Sequence, residues 1–140
     1  MVTTMGMARS CVLVVDDEKD VRELVETILR NAGFAVTSVA DGAAALGIIE
    51  RQAVDLAVVD MRLLGGLNGL ETVRRARARR PDLKALFISG VESTPSRRDL
   101  DRDDFVSKPF SGGEFLGCVF ELLLRNRDGQ QHRFSGPAGG

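Results

Sequence analysis

The chain alternates between short, almost wholly apolar runs and longer segments whose apolar residues recur every three or four positions. The run DLAVVD at 55–60 is central. Five of the six residues from Leu56 to Met61 are apolar, and the exception is Asp60. A run this short and β-branched, with a turn signal after it, predicts a strand buried on both faces. CVLVV at 11–15, ending in Asp16, Asp17 and Glu18, predicts a second such strand; FAVTSV at 34–39, KALFIS at 84–89 and FVS at 105–107 predict three more. Between the first two lies a helical period of Val21, Leu24, Val25, Ile28, Leu29 and Ala32, an expected inner face closed by Gly33 as C-terminal cap. Asp41 is the expected cap of a second helix carrying Ala44, Ala45, Leu46, Ile48 and Ile49. Asn68 is that of a third, with Leu70 and Val73 inward. The third helix ends in RRARARR (74–80), which reads as a solvated helix end, because cations favour that terminus. The polar stretch 91–104 has room only for a short helix from Ser96 to Leu100. Ser111 and Glu114 form a capping-box pattern ahead of a final helix burying Phe115, Val119, Leu122 and Leu123.

Strand and helix alternate five times, which implies a parallel sheet with helices on both faces, an α/β doubly wound sandwich. All strand carboxyl ends then share one edge, where open α/β folds place their chemistry. The 140 residues suggest one domain, at 10–126, between a loose leader (1–9) and a Gly- and Gln-rich tail (127–140) expected to be mobile.

Composition narrows the function. A net charge of −1 gives no global attraction to nucleic acid or to an anionic membrane surface. No apolar stretch approaches the roughly 18 residues that would span a bilayer, and the first ten residues are not a secretory signal. Cys11 and Cys118 stand far apart among apolar neighbours and read as small buried hydrophobes in a reducing, cytoplasmic setting. The single histidine, His132, lies in the tail, so histidine-based catalysis is not expected.

What the strand ends bring together is more specific. The first strand delivers Asp16 and Asp17, the third Asp60, the fourth Ser89 and the fifth Lys108. Three carboxylates held close raise one another's pKa unless a cation sits among them, and hard oxygen ligands without thiolate or imidazole suit Mg2+. A cation, an ammonium and a hydroxyl around one carboxylate suit an incoming phosphoryl group, with Asp60 as the nucleophile that forms an acyl phosphate. Taken singly, each residue has a plainer reading: a turn residue for Asp60 or Ser89, a helix cap for the acidic pair, a surface lysine for Lys108.

VLVVDDE (12–18), LAVVDMR (56–62), LFISG (86–90) and FVSKPF (105–110) resemble the receiver domain of two-component response regulators, over about Cys11 to Arg125. The resemblance implies a flavodoxin-like sheet in the order 2-1-3-4-5. It implies Asp60 as phosphoacceptor, Asp17 as direct magnesium ligand, Asp16 as its water-mediated neighbour, and the backbone carbonyl of Arg62 as a further ligand. It also implies Ser89 as the hydroxyl that binds the phosphoryl group, Lys108 as counter-charge, Gly90 as the small residue giving access, and Phe105 as the switch aromatic. The Lys108–Pro109 bond is typically cis in such domains. The implied donor is a histidine kinase or histidine phosphotransfer protein, docked beside Asp60. Output is expected through another protein rather than DNA, from a monomer or a weak phosphorylation-dependent dimer. A free-standing regulator, a receiver from a hybrid kinase and a non-phosphorylated pseudo-receiver all share this wording.

Two features depart from the family. Leu63 and Leu64 stand where Met and Pro are common, and Gly69 comes one residue late, so the loop after Asp60 is expected to be longer and looser. The span from Ser89 to Phe105 is short, so 91–104 is expected to be the most mobile part of the domain. Two other classes fit less well. Hydrolases with an aspartate nucleophile place a second Asp two residues on, where this chain has Arg62, and no Gly-x-Gly-x-x-Gly or Walker pattern follows any strand.

Overall fold

The computed structural model describes residues 10–90 and 104–125. The elements run β1 (Cys11–Val15), α1 (Lys19–Asn31), β2 (Ala35–Val39), α2 (Gly42–Arg51), β3 (Leu56–Asp60), α3 (Gly69–Arg79), β4 (Lys84–Ser89), β5 (Asp104–Ser107) and α4 (Gly112–Leu124). The leader, the tail, the short helix expected at 96–100 and the mobility expected of the segment around it lie outside the described residues.

The five strands form one parallel sheet in the order β2-β1-β3-β4-β5. β3 is buried along its whole length, including Asp60. Because side chains alternate across a strand, each strand feeds two cores. Val12, Val14, Leu56, Val58, Leu86 and Ile88 pack under α1 and α4, against Val25, Leu29, Phe115, Val119 and Leu122. Leu13, Val15, Ala57, Val59, Ala85 and Phe87 pack under α2 and α3, against Ala45, Ile49, Val73 and Ala76. Each large side chain buried in this way contributes about 1.5–3 kcal/mol.

The helix ends follow local chemistry. The Gly33 N–H donates to the Arg30 carbonyl (2.9 Å) and the Phe34 N–H to the Leu29 carbonyl (3.1 Å), closing α1 in a Schellman motif. Gly33 takes φ +100°, a left-handed conformation that favours glycine, and Phe34 is thereby turned into the α1 core. Asp41 and Asn68 accept from the Ala44 and Glu71 N–H groups, and Ser111 with Glu114 completes a capping box.

Some expectations need correction. Leu24 is not on the inner face of α1: it is 53 % exposed, because only Val25 and Leu29 of that helix are fully buried and Val21 and Ile28 flank them. Cys11 and Cys118 are half-buried rather than buried, and neither is in a disulfide. The arginine run is not uniformly solvated. Arg77 is half-buried and donates from Nε and Nη2 to the Leu83 carbonyl (3.0 and 2.8 Å), tying α3 to the start of β4. No helix among the described residues is long and apolar enough to cross a membrane.

Candidate functional site

The order 2-1-3 places the carboxyl ends of β1 and β3 side by side, at the point where the chain reverses its direction of winding. Val15 pairs with Val59, so the residues that follow each strand meet. Ligand oxygens of Asp16, Asp17 and Asp60 lie within 4.8 Å of one another. Lys108, just past β5, brings its Nζ to 3.8 Å from Asp60 Oδ2. Ser89, the last residue of β4, is fully buried and pairs in register with Ser107. Its carbonyl accepts from the Lys108 N–H (2.8 Å), which fixes where the lysine leaves the sheet. The Lys108–Pro109 peptide is cis.

Backbone contacts hold the acids in place. Asp60 Oδ1 accepts from the Arg62 N–H (2.9 Å), and Asp16 Oδ1 accepts from the Glu18 N–H (2.9 Å). Arg22 donates from Nη1 to the Asp16 carbonyl (2.7 Å). The loop after Asp60, expected to be loose, is tethered. The Gly69 N–H donates to the Met61 carbonyl (3.2 Å), and Leu63 is buried. A Cβ at Gly69 would fall inside contact distance of the Asp60 carbonyl oxygen and the Met61 Cα. Gly69 therefore lets α3 start directly against the strand end, while Gly65 and Gly66, at φ +77° and +132°, carry the turn before it.

Among the described residues, two buried polar atoms at this edge have no hydrogen-bond partner: Asp16 Oδ2 and Ser89 Oγ. Leaving such atoms unpaired costs roughly 1–3 kcal/mol each, so both have hydrogen-bonding capacity to offer a ligand. One is a carboxyl oxygen beside two further acids, the other a hydroxyl. The acceptors are all hard oxygens, a set that fits a magnesium-like cation.

The electrostatics agree. Burial pushes the Asp16 carboxyl up to about 7, with the neighbouring Asp60 charge adding to the rise. Asp60 is also raised, chiefly by burial, against the lowering effect of the Arg62 N–H and the Lys108 ammonium. Burial alone would lower Lys108, yet its pKa is raised, because a hydrogen bond to Glu18 and the charges of Asp60 and Asp16 outweigh it. Without a further cation the acidic group keeps a proton near neutrality. A divalent ion removes the reason for it.

The remaining expected residues are placed as follows. The Arg62 side chain is exposed while its N–H faces Asp60. Phe105 pairs with Phe87 on β4 and is half-buried against the α2–α3 core. A side chain built on Gly90 would meet open space among the described residues. Glu18, the last of the acidic triplet after the first strand, is not among the expected site residues, yet its Oε1 lies 3.1 Å from Lys108 Nζ. The one signal for it was the unbroken acidic triplet at 16–18.

Residues 12–119 match the family model of the response regulator receiver domain. The chain belongs to that family. Among curated relatives, the receiver domain is 36% identical over 122 residues to Regulatory protein VanRc of Enterococcus gallinarum, covering 81% of this chain and 50% of the relative. It is 31% identical over 120 residues to Sensory transduction protein RegX3 of Mycolicibacterium smegmatis, covering 84% of this chain and 52% of the relative. The chain thus spans about half the length of these relatives. Among solved structures, a response regulator receiver protein from Sinorhizobium medicae superposes with a TM-score of 0.71 at 27% identity, covering 84% of this chain and 96% of that one.

Proposed function

We propose that this receiver domain takes a phosphoryl group onto Asp60 from the phosphohistidine of a histidine kinase or histidine phosphotransfer protein, with Mg2+ held by Asp17, Asp16, Asp60 and the Arg62 carbonyl. The observation that carries the reading is the cluster itself: three carboxylates within 4.8 Å, with an ammonium 3.8 Å from the central one. When bound, Mg2+ would supply positive charge to the carboxylates and to the phosphoryl oxygens.

The chain's own residues do the rest. The ionised Asp60 carboxylate attacks phosphorus, an Oδ–P bond forms, the P–N bond breaks, and the imidazole departs with the electron pair. The Lys108 ammonium neutralises charge on the arriving group, and the Ser89 hydroxyl finds there the acceptor it lacks. Ser89 shifting toward the phosphoryl group would empty space beneath β5 for Phe105, so that a local charge event changes the surface offered to a partner. Phosphorylated protein is expected to act through that partner, in the cytoplasm, as a monomer or weak dimer. In this reading the domain is a switch whose chemistry is confined to its own phosphorylation and dephosphorylation.

Incubation with a small-molecule phosphodonor and Mg2+ tests the reading. The expected result is one phosphate per chain, acid-stable but labile to base and hydroxylamine, and absent from Asp60→Ala. Folded protein that takes up no phosphate would instead favour a module that binds partners without phosphorylation.

A further inference from the structure

The Lys108 ammonium faces two acceptors. It lies 3.1 Å from Glu18 Oε1 and 3.8 Å from Asp60 Oδ2. The nearer partner is the solvent-exposed one: the Glu18 side chain is 61 % exposed, against 7 % for Asp60. Glu18 sits at the N-cap position of α1, yet its side chain makes no capping hydrogen bond. Its backbone is nevertheless pinned, since its N–H donates to Asp16 Oδ1 and its carbonyl accepts from the Arg22 N–H (2.9 Å). With its main chain clamped to the acidic cluster and its side chain not engaged in capping, Glu18 is held where it meets Lys108. The two residues are 90 positions apart in sequence, so the pairing comes from the fold and not from local helix chemistry.

We propose that Glu18 is a positioning residue that holds the Lys108 ammonium at the rim of the site and must release it before a phosphoryl group on Asp60 can be fully neutralised. This rests on the phosphoacceptor reading of Asp60. An exposed ion pair is weak, so the latch yields readily to a multiply charged phosphoryl group. Glu18 thereby sets how much of Lys108's charge is available to Asp60 before the donor arrives, and it acts only through Lys108.

The test is a double-mutant comparison with acetyl phosphate and Mg2+ at low ionic strength. Glu18→Gln is expected to speed labelling of the Lys108 protein roughly two- to fivefold, the range set by a surface ion pair. In a Lys108→Ala background the same substitution is expected to leave the rate unchanged. Asp20→Asn, which removes an equal charge from the first turn of the same helix, is expected to show no dependence on Lys108. A second readout needs no turnover: the 15N resonance of the Lys108 ammonium in metal-free protein is expected to shift in Glu18→Gln and not in Asp20→Asn. An equal acceleration in both backgrounds, or an unmoved Lys108 resonance, overturns the latch. Failure of the parent protein to label at all sinks the phosphoacceptor reading and the latch with it. Normal Asp60-dependent labelling without coupling sinks the latch alone.

Discussion

The two edges of the sheet are built from the same kinds of residue and treat them in opposite ways. At the amino-terminal edge the polar groups are paired. Asp55 Oδ2 accepts from the Cys11 N–H (2.8 Å), and the Cys11 carbonyl accepts from the Asp55 N–H (2.9 Å). Arg77 holds the Leu83 carbonyl, and Lys84 Nζ donates to the carbonyls of Leu123 and Arg125 (3.1 and 2.8 Å), closing the end of α4. At the carboxyl-terminal edge, acids crowd together, and Asp16 Oδ2 and Ser89 Oγ find no partner among the described residues. A cleft of ≈ 570 Å³, lined in part by Asp55, Arg80 and Lys84, opens at the paired edge. The contrast between the edges thus lies in how their polar groups are paired, and the proposed phosphoacceptor sits at the edge with unspent hydrogen-bonding capacity.

The sharpest way to break that contrast is to neutralise one acid at each edge. With its folded pKa near 7, Asp16 favours the folded state while protonated. That contribution is full below its unfolded value of about 3.8 and is lost as pH rises through 7. Asp16→Asn is therefore expected to raise the stability of the metal-free protein at pH 8 by about 1–3 kcal/mol. Asp55→Ala removes a paired acceptor and is expected to lower stability by about 0.5–1.5 kcal/mol. Chemical denaturation at fixed pH checks both, and effects of the same sign would erase the distinction between the edges.

Gly69→Ala asks whether the reactive edge is rigid. The added methyl would press on the Asp60 carbonyl and the Met61 Cα, at an expected cost of about 1–3 kcal/mol in an unfolding titration. A cost near zero would mean that the loop is as loose as its extra residue suggests. A smaller effect is expected from Mg2+, read as a shift in melting temperature. The shift should be larger at pH 8 than at pH 5, because protons compete for Asp16 at the lower pH, and it should shrink in Asp16→Asn. The smallest effect belongs to the exposed pair Arg79–Glu50 (3.0 Å). Glu50→Gln is expected to cost no more than about 1 kcal/mol and to leave labelling unchanged.

Much of this contrast was legible in the sequence, for physical reasons. A strand buried on both faces cannot hide a carboxylate such as Asp60 without a purpose. Strand–helix alternation forces the ends carrying Asp16, Asp60, Ser89 and Lys108 to one edge. What could not be read depended on distance in three dimensions. Helical periodicity gave the direction of α1's apolar stripe but not its width, so Leu24 was placed inside when it is exposed. Arg77 looked like its neighbours, because only the path of the chain into β4 brings the Leu83 carbonyl beneath it. The late glycine at 69 suggested slack, whereas its lack of a side chain is what lets the helix close on the strand end.

The central assignment is that Asp60, and not Asp16 or Asp17 beside it, carries the phosphoryl group. Reduction of the labelled protein with tritiated borohydride converts an aspartyl phosphate to homoserine, and peptide mapping then locates it. Homoserine at position 60 alone is the expected result. Homoserine at position 16 or 17, or none in protein shown to be labelled, would contradict it.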